Sequence, residues 1–215
     1  VYNRYKYLSP TLGMNWQINE SHSVGIRYRP GFELRSESSQ EGKSVANIGG
    51  ILDDETNTDA IVLTEPSPTH EVNMYYNGRA GKLNIDFNAD FHDSRRKELK
   101  TYNEISKYQD NRILNTSSNT HNRLYASKLT LTYPLFGGVL TAGSEYSNTM
   151  RYDEYINDEG YVPSAYTKIR ESELSAYAEY IYPFRFGSLT AGIRYEHIGF
   201  NYYENDVLMD DQSRN

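Results

Sequence analysis

The sequence predicts an all-β chain, an antiparallel up-and-down meander of about eight long strands. Three observations carry this: strict period-two alternation of apolar and polar residues, four tight connections, and an unusual composition. Only 37% of the 215 residues are hydrophobic and the mean hydropathy is −0.77. Chains that polar are often disordered, but disordered chains are poor in aromatics. Here aromatics make up 13% and 21 residues are tyrosine, which fits a sheet wet on one face and apolar on the other.

The strands follow in order. Leu12, Met14, Trp16 and Ile18 alternate with Gly13, Asn15 and Gln17. Val24, Ile26, Tyr28, Pro30, Phe32 and Leu34 alternate with Gly25, Arg27, Arg29, Gly31 and Glu33. Val72, Met74 and Tyr76 form a third set. The clearest is the fourth, where Leu83, Ile85, Phe87, Ala89 and Phe91 oppose Asn84, Asp86, Asn88 and Asp90. Leu129, Leu131, Tyr133 and Leu135 form the fifth; Leu140, Ala142 and Tyr146 the sixth. Leu174, Ala176, Ala178, Tyr180, Tyr182 and Phe184 form the seventh; Leu189, Ala191, Ile193 and Tyr195 the eighth. Successive strand side chains point to opposite faces, so each segment presents one apolar and one polar face.

Tight connections fall near residues 19–22, 78–82, 136–139 and 185–188, dividing a single segment into four hairpins. Between them lie polar stretches near 38–69, 106–122 and 157–171, read as long loops. Short turns at one end and long loops at the other are the arrangement of outer-membrane β-barrels. The sequence therefore predicts part of such a barrel, or a chain closing into one, in the bacterial outer membrane. No run of 18 or more apolar residues exists for a transmembrane helix, but a barrel strand crosses in about 9–11 residues.

The hairpins repeat. Tyr133-Pro134, Gly138, Leu140-Thr141-Ala142-Gly143 and Tyr146 align with Tyr182-Pro183, Gly187, Leu189-Thr190-Ala191-Gly192 and Tyr195. Tyr76, Gly81 and Leu83 form a fainter third copy. Glycine supplies the positive φ of a tight turn, and proline sits where a missing N–H does no harm. Trp16, Tyr76, Tyr133, Tyr182, Phe184 and Tyr195 are the expected interfacial aromatic belt.

Several segments resemble the barrel region of TonB-dependent receptors: Ser144-Glu145-Tyr146, Tyr155-Ile156-Asn157, Glu159-Gly160, Pro163-Ser164, Lys168-Ile169 and Leu174-Ser175-Ala176-Tyr177. So do Gly192-Ile193-Arg194-Tyr195-Glu196-His197, Tyr202-Tyr203 and Asp211-Gln212-Ser213-Arg214. The resemblance runs from about Leu12 to the end. It implies a Gram-negative barrel of about 22 strands holding a plug, which imports nutrients using energy passed from the inner membrane. The implied partners are outer-membrane lipid, the rest of the barrel, the plug domain and the energy-coupling protein. The chain shows no plug, no energy-coupling segment and no aromatic C-terminal residue. It starts at Val1 and ends on the polar stretch Asp206–Asn215, so it reads as an excised middle portion of a barrel. Two other readings stay open: a complete eight-stranded outer-membrane barrel with a structural or adhesin role, and a soluble lipid-binding β-protein with its apolar face inward. An open sheet of this kind is expected to self-associate through its free edges, to close on itself, or to need detergent.

The polar face supplies the candidate functional residues: Arg27, Arg29, Asp86, Asn88, Asp90, Glu145, Glu179, Arg194 and Glu196. They are expected to line a lumen, where they contact a plug or passing substrate, or else pair across strands. His22, His70, His92, His121 and His197 show no metal-ligand spacing and read as solvated surface residues. Asp53-Asp54-Glu55 and Asp210-Asp211 read as solvated acidic loops rather than cation sites. Arg95-Arg96-Lys97 reads as a solvated strand end balanced by Glu98, with contact to lipopolysaccharide phosphate as the alternative. With no cysteine there is no thiolate site or disulfide, and a net charge of −7 argues against nucleic acid. No cofactor is implied. No nucleophile-elbow motif is present, and the sequence predicts no enzyme.

Overall fold

The structure, a computed structural model, describes residues 2–214. Among them, eleven strands form one antiparallel sheet. They are β1 (Tyr2–Leu8), β2 (Leu12–Asn19), β3 (His22–Ile48), β4 (Ile51–Thr64), β5 (Ser67–Ala80) and β6 (Leu83–Ser106). Then come β7 (Arg112–Leu135), β8 (Gly138–Asn157), β9 (Ala165–Phe184), β10 (Gly187–Glu204) and β11 (Val207–Leu208). The segments align as eight rungs. β1 and β2 pair successive stretches of β3, one along Phe32–Ser39 and the other along His22–Tyr28, and so make one interrupted rung. β4 and β5 share the next place, both lying between β3 and β6.

Proline explains both interruptions, because it has no N–H to give a ladder. Pro66 separates β4 from β5. Pro10 separates β2 from β1, and the register on either side places it opposite Pro30 of β3. The two prolines meet where neither strand could donate, so the central strand β3 tolerates Pro30 without an orphaned partner.

One line of paired residues crosses the sheet: His22, Gly78, Ile85, Leu131, Ala142, Ala178 and Ile193. Paired residues share a face, so this register places all eight alternating apolar sets on one face. No hydrophobic side chain is buried among the described residues; Ile193 is 77% exposed and Leu12 67%. The apolar residues form an outward band instead of a core.

The register also sets the tilt. The β2–β3 turn closes at His22, on that line. The closing pair Ala80–Leu83 lies two residues beyond it, Leu135–Gly138 four, and Phe184–Gly187 six. Successive turns thus step by two residues per hairpin, or one per strand. With about 3.3 Å per residue and about 4.8 Å between strands, turns at one level require strands tilted about 35°, the usual barrel tilt. Counted from the closing pairs, the apolar band runs ten residues, to Phe32, Tyr125 and Leu174. At that tilt it is about 27 Å tall, the height of an outer-membrane barrel's apolar girdle.

The far ends differ from the sequence expectation. The stretch near 38–69 is mostly strand: β3 and β4 continue as a hairpin turned at Gly49 and Gly50, whose φ values of 60° and 83° make it a two-residue primed turn. The stretch near 106–122 shrinks to residues 107–111, and that near 157–171 to 158–164. Water on both faces removes the need for alternation while backbone pairing continues, so a polar strand has the composition of a loop. The last segment also folds back. Asn205 and Asp206, at φ 49° and 64°, turn the chain into β11, and Phe200 and Arg214 exchange backbone hydrogen bonds.

Tyrosine rings cover glycines on the polar face. Tyr75 lies across Gly25, its register partner, and Tyr177 across Gly143. A Cβ on Gly143 would fall 2.6 Å from the Tyr177 ring and 2.7 Å from the Leu129 carbonyl oxygen; one on Gly25 would fall 2.2 Å from Tyr75. Such pairs pin register where glycine alone would weaken a strand. Gly143→Ala should therefore destabilise the folded sheet by about 1–3 kcal/mol through overpacking. Tyr177→Ala in the same chain should recover part of that loss. Urea unfolding in detergent micelles measures both, and an unaffected Gly143→Ala would contradict the close approach.

Candidate functional site on the polar face

The register places all nine sequence-predicted residues on the face opposite the apolar band. They form separate groups. In the largest, Glu145 accepts from Lys128 Nζ at 2.6 Å and from Arg194 at 3.2 Å, and Arg194 also binds Glu196. Arg29 donates through Nε to Glu71 at 2.7 Å, and His92 Nδ1 stands 3.7 Å from the other Glu71 oxygen. Asn73 donates to Asp90 at 2.8 Å and Asn88 to Asp86 at 2.8 Å. Arg27 and Glu179 hold no side-chain hydrogen bond or ion pair among the described residues.

Most of these side chains are half-exposed, as in the Glu145–Arg194 pair at 32% and 42%. Exposed pairs contribute only about 0.2–1 kcal/mol each. Their main effect is a hydrated, charge-balanced surface across β6–β10. Lys128 and Glu71 were not among the expected residues, because their partnerships depend on strand order and register. Tyr75, hydrogen-bonded to Asn15 at 3.0 Å, and Tyr177, bonded to Thr130 at 3.1 Å, also face this side. Alternation alone gives no sign of them, since tyrosine reads as apolar.

On the apolar face the residues expected to form an aromatic belt divide by height. Trp16, Tyr133, Tyr182 and Phe184 lie within two residues of a closing pair or level with such a position, and Tyr76 lies four away. Tyr195 does not join them. It stands eight residues from its closing pair, level with Phe91 and Tyr146, near the band's far border. The hairpin repeat aligned it with Tyr146, which has the same height.

Three histidines expected to be solvated hold side-chain hydrogen bonds, beside the His92–Glu71 contact above. His22 Nδ1 meets the Tyr76 hydroxyl at 2.7 Å, His70 Nδ1 meets Tyr28 at 2.7 Å, and His121 Nε2 meets Asp93 at 2.8 Å. His70 lies inside β5 and His121 inside β7. Among the described residues no group of three or more His, Asp or Glu side chains is placed to hold a metal.

The cluster Asp53-Asp54-Glu55 lies in β4, not in a loop. Asp54 clamps the β6–β7 turn: both its oxygens accept from Ser106 Oγ at 2.8 Å, and Oδ1 accepts from the Tyr108 N–H at 3.1 Å. The Ser106 hydroxyl, followed by the Tyr108 N–H, Thr56 and the Glu55 N–H, holds the Asp54 carboxyl below the ordinary value of 3.8 against a smaller cost of burial. Glu159 ties the next turn to β7 in the same way. It accepts from the Asn115 N–H at 2.8 Å and its side-chain amide at 2.7 Å, and the first of these leads in lowering its pKa.

The geometry defines a two-faced, tilted antiparallel meander of the kind used by outer-membrane β-barrel proteins. No protein-family profile matches the chain, and no curated protein matches it. Solved structures do. The outer-membrane protease OmpT from Escherichia coli is 14% identical with a TM-score of 0.33, over 94% of this chain and 74% of that one. The ferripyoverdine receptor of the Pseudomonas aeruginosa outer membrane is 11% identical with a TM-score of 0.43, over 99% of this chain and 38% of that one. The Ralstonia pickettii toluene transporter TbuX is 9% identical with a TM-score of 0.27, over 90% and 68%. Likenesses this distant describe strand architecture alone. They do correct one expectation. The sequence predicted no enzyme, yet an outer-membrane protease is among the structures to which the chain is weakly similar.

The Asp54 clamp makes the β6–β7 turn sensitive to pH. A carboxyl with a lowered folded pKa stabilises the folded state above its unfolded value, and that contribution is lost as pH falls through the folded value. Protection of the Tyr108 amide from hydrogen exchange should hold at neutral pH and be lost only as pH falls below the ordinary carboxyl value of 3.8. Asp54→Ala should lose it at every pH. Protection that persists in Asp54→Ala would contradict the clamp.

Proposed function

We propose that this chain is a barrel segment of an outer-membrane TonB-dependent receptor and takes part in nutrient uptake across the outer membrane. The observation that carries the membrane part is the exposed apolar band, about 27 Å tall once the strand stagger is applied, on a sheet with no buried hydrophobic residue among those described. Water would penalise such a surface by about 25 cal/mol per Å², whereas lipid accepts it. A soluble protein with this face inward would bury these side chains.

The receptor part draws on the sequence resemblance and on the opposite face. The Lys128–Glu145–Arg194–Glu196 network needs water or a polar partner, which a wide barrel and its plug provide. The edge strands point the same way. β2 is exposed along its whole length, and β10 is exposed from Gly187 to Ile198. Their outer backbone groups need ladder partners within lipid, since an unpaired group there costs several kcal/mol. In a receptor, neighbouring hairpins supply those partners. The tight turns then face the periplasm and the extended β3–β4 hairpin reaches outward.

Eight rungs are also enough to close a small barrel, and that count favours a second reading as a complete eight-stranded protein. Photocrosslinking in the native outer membrane separates the two. A benzophenone amino acid at Lys128 should crosslink to a plug segment, identified by mass spectrometry. Crosslinks confined to facing strands of the same sheet would overturn the receptor reading in favour of the small barrel.

A further inference from the structure

Just beyond the apolar band, the same outward face turns cationic. The strand stagger scatters these residues along the register, and only counting from the closing pairs gathers them. Arg95 lies twelve residues beyond Leu83, and Arg123 lies twelve before Leu135. His121 and Lys97 stand at fourteen, as does Arg170 relative to Phe184, and Lys168 stands at sixteen. Five permanent cations and a histidine from β6, β7 and β9 thus converge within about 11 Å of height along the tilted strands.

Carboxylates are scarce on this face at that level. Asp93, at the band's border, binds Arg123 at 3.0 Å and His121 at 2.8 Å. Lys97 pairs with Glu65 at 3.2 Å, and Glu154 lies at the outer edge beside Tyr166. Arg95, Lys168 and Arg170 hold no carboxylate among the described residues. Aromatic rings position two of them instead. The Lys168 ammonium stands 5.4 Å from both the Tyr152 and Tyr203 ring centres, and Arg170 stands 5.8 Å from Tyr203. His121 stacks on Tyr152 at 6.0 Å. The rings hold these cations outward without neutralising them.

We infer that Arg95, Lys168 and Arg170, with Arg123 and His121 beside them, form a binding site for the phosphate groups of an outer-leaflet glycolipid, lipid A of lipopolysaccharide. Charge and position select this occupant. The cations lie where headgroups begin, they point to lipid rather than lumen, and guanidinium groups suit phosphate oxygens. On the orientation proposed above, this end of the band meets the outer leaflet, so the inference rests on that reading. Arg95 thereby leaves the solvated strand end expected from sequence, whereas Arg96 faces the other way and pairs with Glu98 at 2.7 Å.

The test uses the full polypeptide purified in detergent, with lipid A, its enzymatically dephosphorylated form and phosphatidylethanolamine as probes. Lipid A should bind at least about tenfold more tightly than either control, as several charge-assisted contacts imply. Arg95→Gln, Lys168→Gln and Arg170→Gln combined should abolish that preference, whereas Arg95→Lys with Arg170→Lys should keep most of it. Equal binding of dephosphorylated lipid A, or full lipid A binding by the triple Gln variant, would overturn the inference. The membrane reading is checked separately through Trp16, the chain's one tryptophan, on the apolar face of β2. Quenching of Trp16 by brominated acyl chains, with no preference for lipid A, would refute the phosphate site and leave the barrel standing. Absence of quenching would refute the barrel.

Discussion

Everything in this structure depends on a register that runs without interruption from β3 to β10 across the apolar band. Lipid offers no hydrogen bonds, so a strand that crosses it must pair every backbone group with a neighbour. That pairing fixes which side chains share a face. The one-residue stagger per strand then fixes the tilt, and the tilt levels the turns and gives the apolar band a constant height. Prolines stand where this constraint is relaxed. Pro10 faces Pro30 across a break in one rung, and Pro66 splits another.

The two faces solve different problems. The apolar one is made largely of exposed side chains, and its lateral contacts are ring pairs such as Phe91 with Tyr125 and His22 with Tyr76. The polar one specifies register through directional pairs, such as Lys128 with Glu145 and Arg29 with Glu71, and through rings laid over glycines at Gly25 and Gly143. Each ion pair is weak in water. Their joint effect is to make a one-residue slip costly, since a slip would place charges in lipid. Beyond the band, where water wets both faces, specific clamps at Asp54 and Glu159 replace this mechanism at the turns.

The fold was legible in the sequence wherever a strand separates two media. Leu83–Phe91 alternates without exception because one face meets an apolar phase and the other a wet one. The nine candidate polar-face residues follow from the same rule. Beyond residue 37 or so the signal fades. The β3–β4 extension is strand built from residues such as Ser, Glu and Thr, and only the Gly49-Gly50 pair marks it as a hairpin. Partnerships were illegible for another reason: Glu145 meets Lys128 of the paired β7 and reaches Arg194 of β10 across β9, a strand order that no local pattern encodes. The convergence of Arg95, Arg123 and Arg170 is further removed still, because it needs register and stagger together.

The central claim is that one face of this sheet meets lipid and the other water, over a limited height. The chain has no cysteine, so single cysteines can be placed along β6 from Leu83 to Lys97 and challenged in native membranes with a charged maleimide. The account predicts protection at Leu83, Ile85, Phe87, Ala89 and Phe91, labelling at Asn84, Asp86, Asn88 and Asp90, and labelling on both faces from Asp93 outward. Uniform labelling along the strand, or protection of the even positions instead, would contradict it.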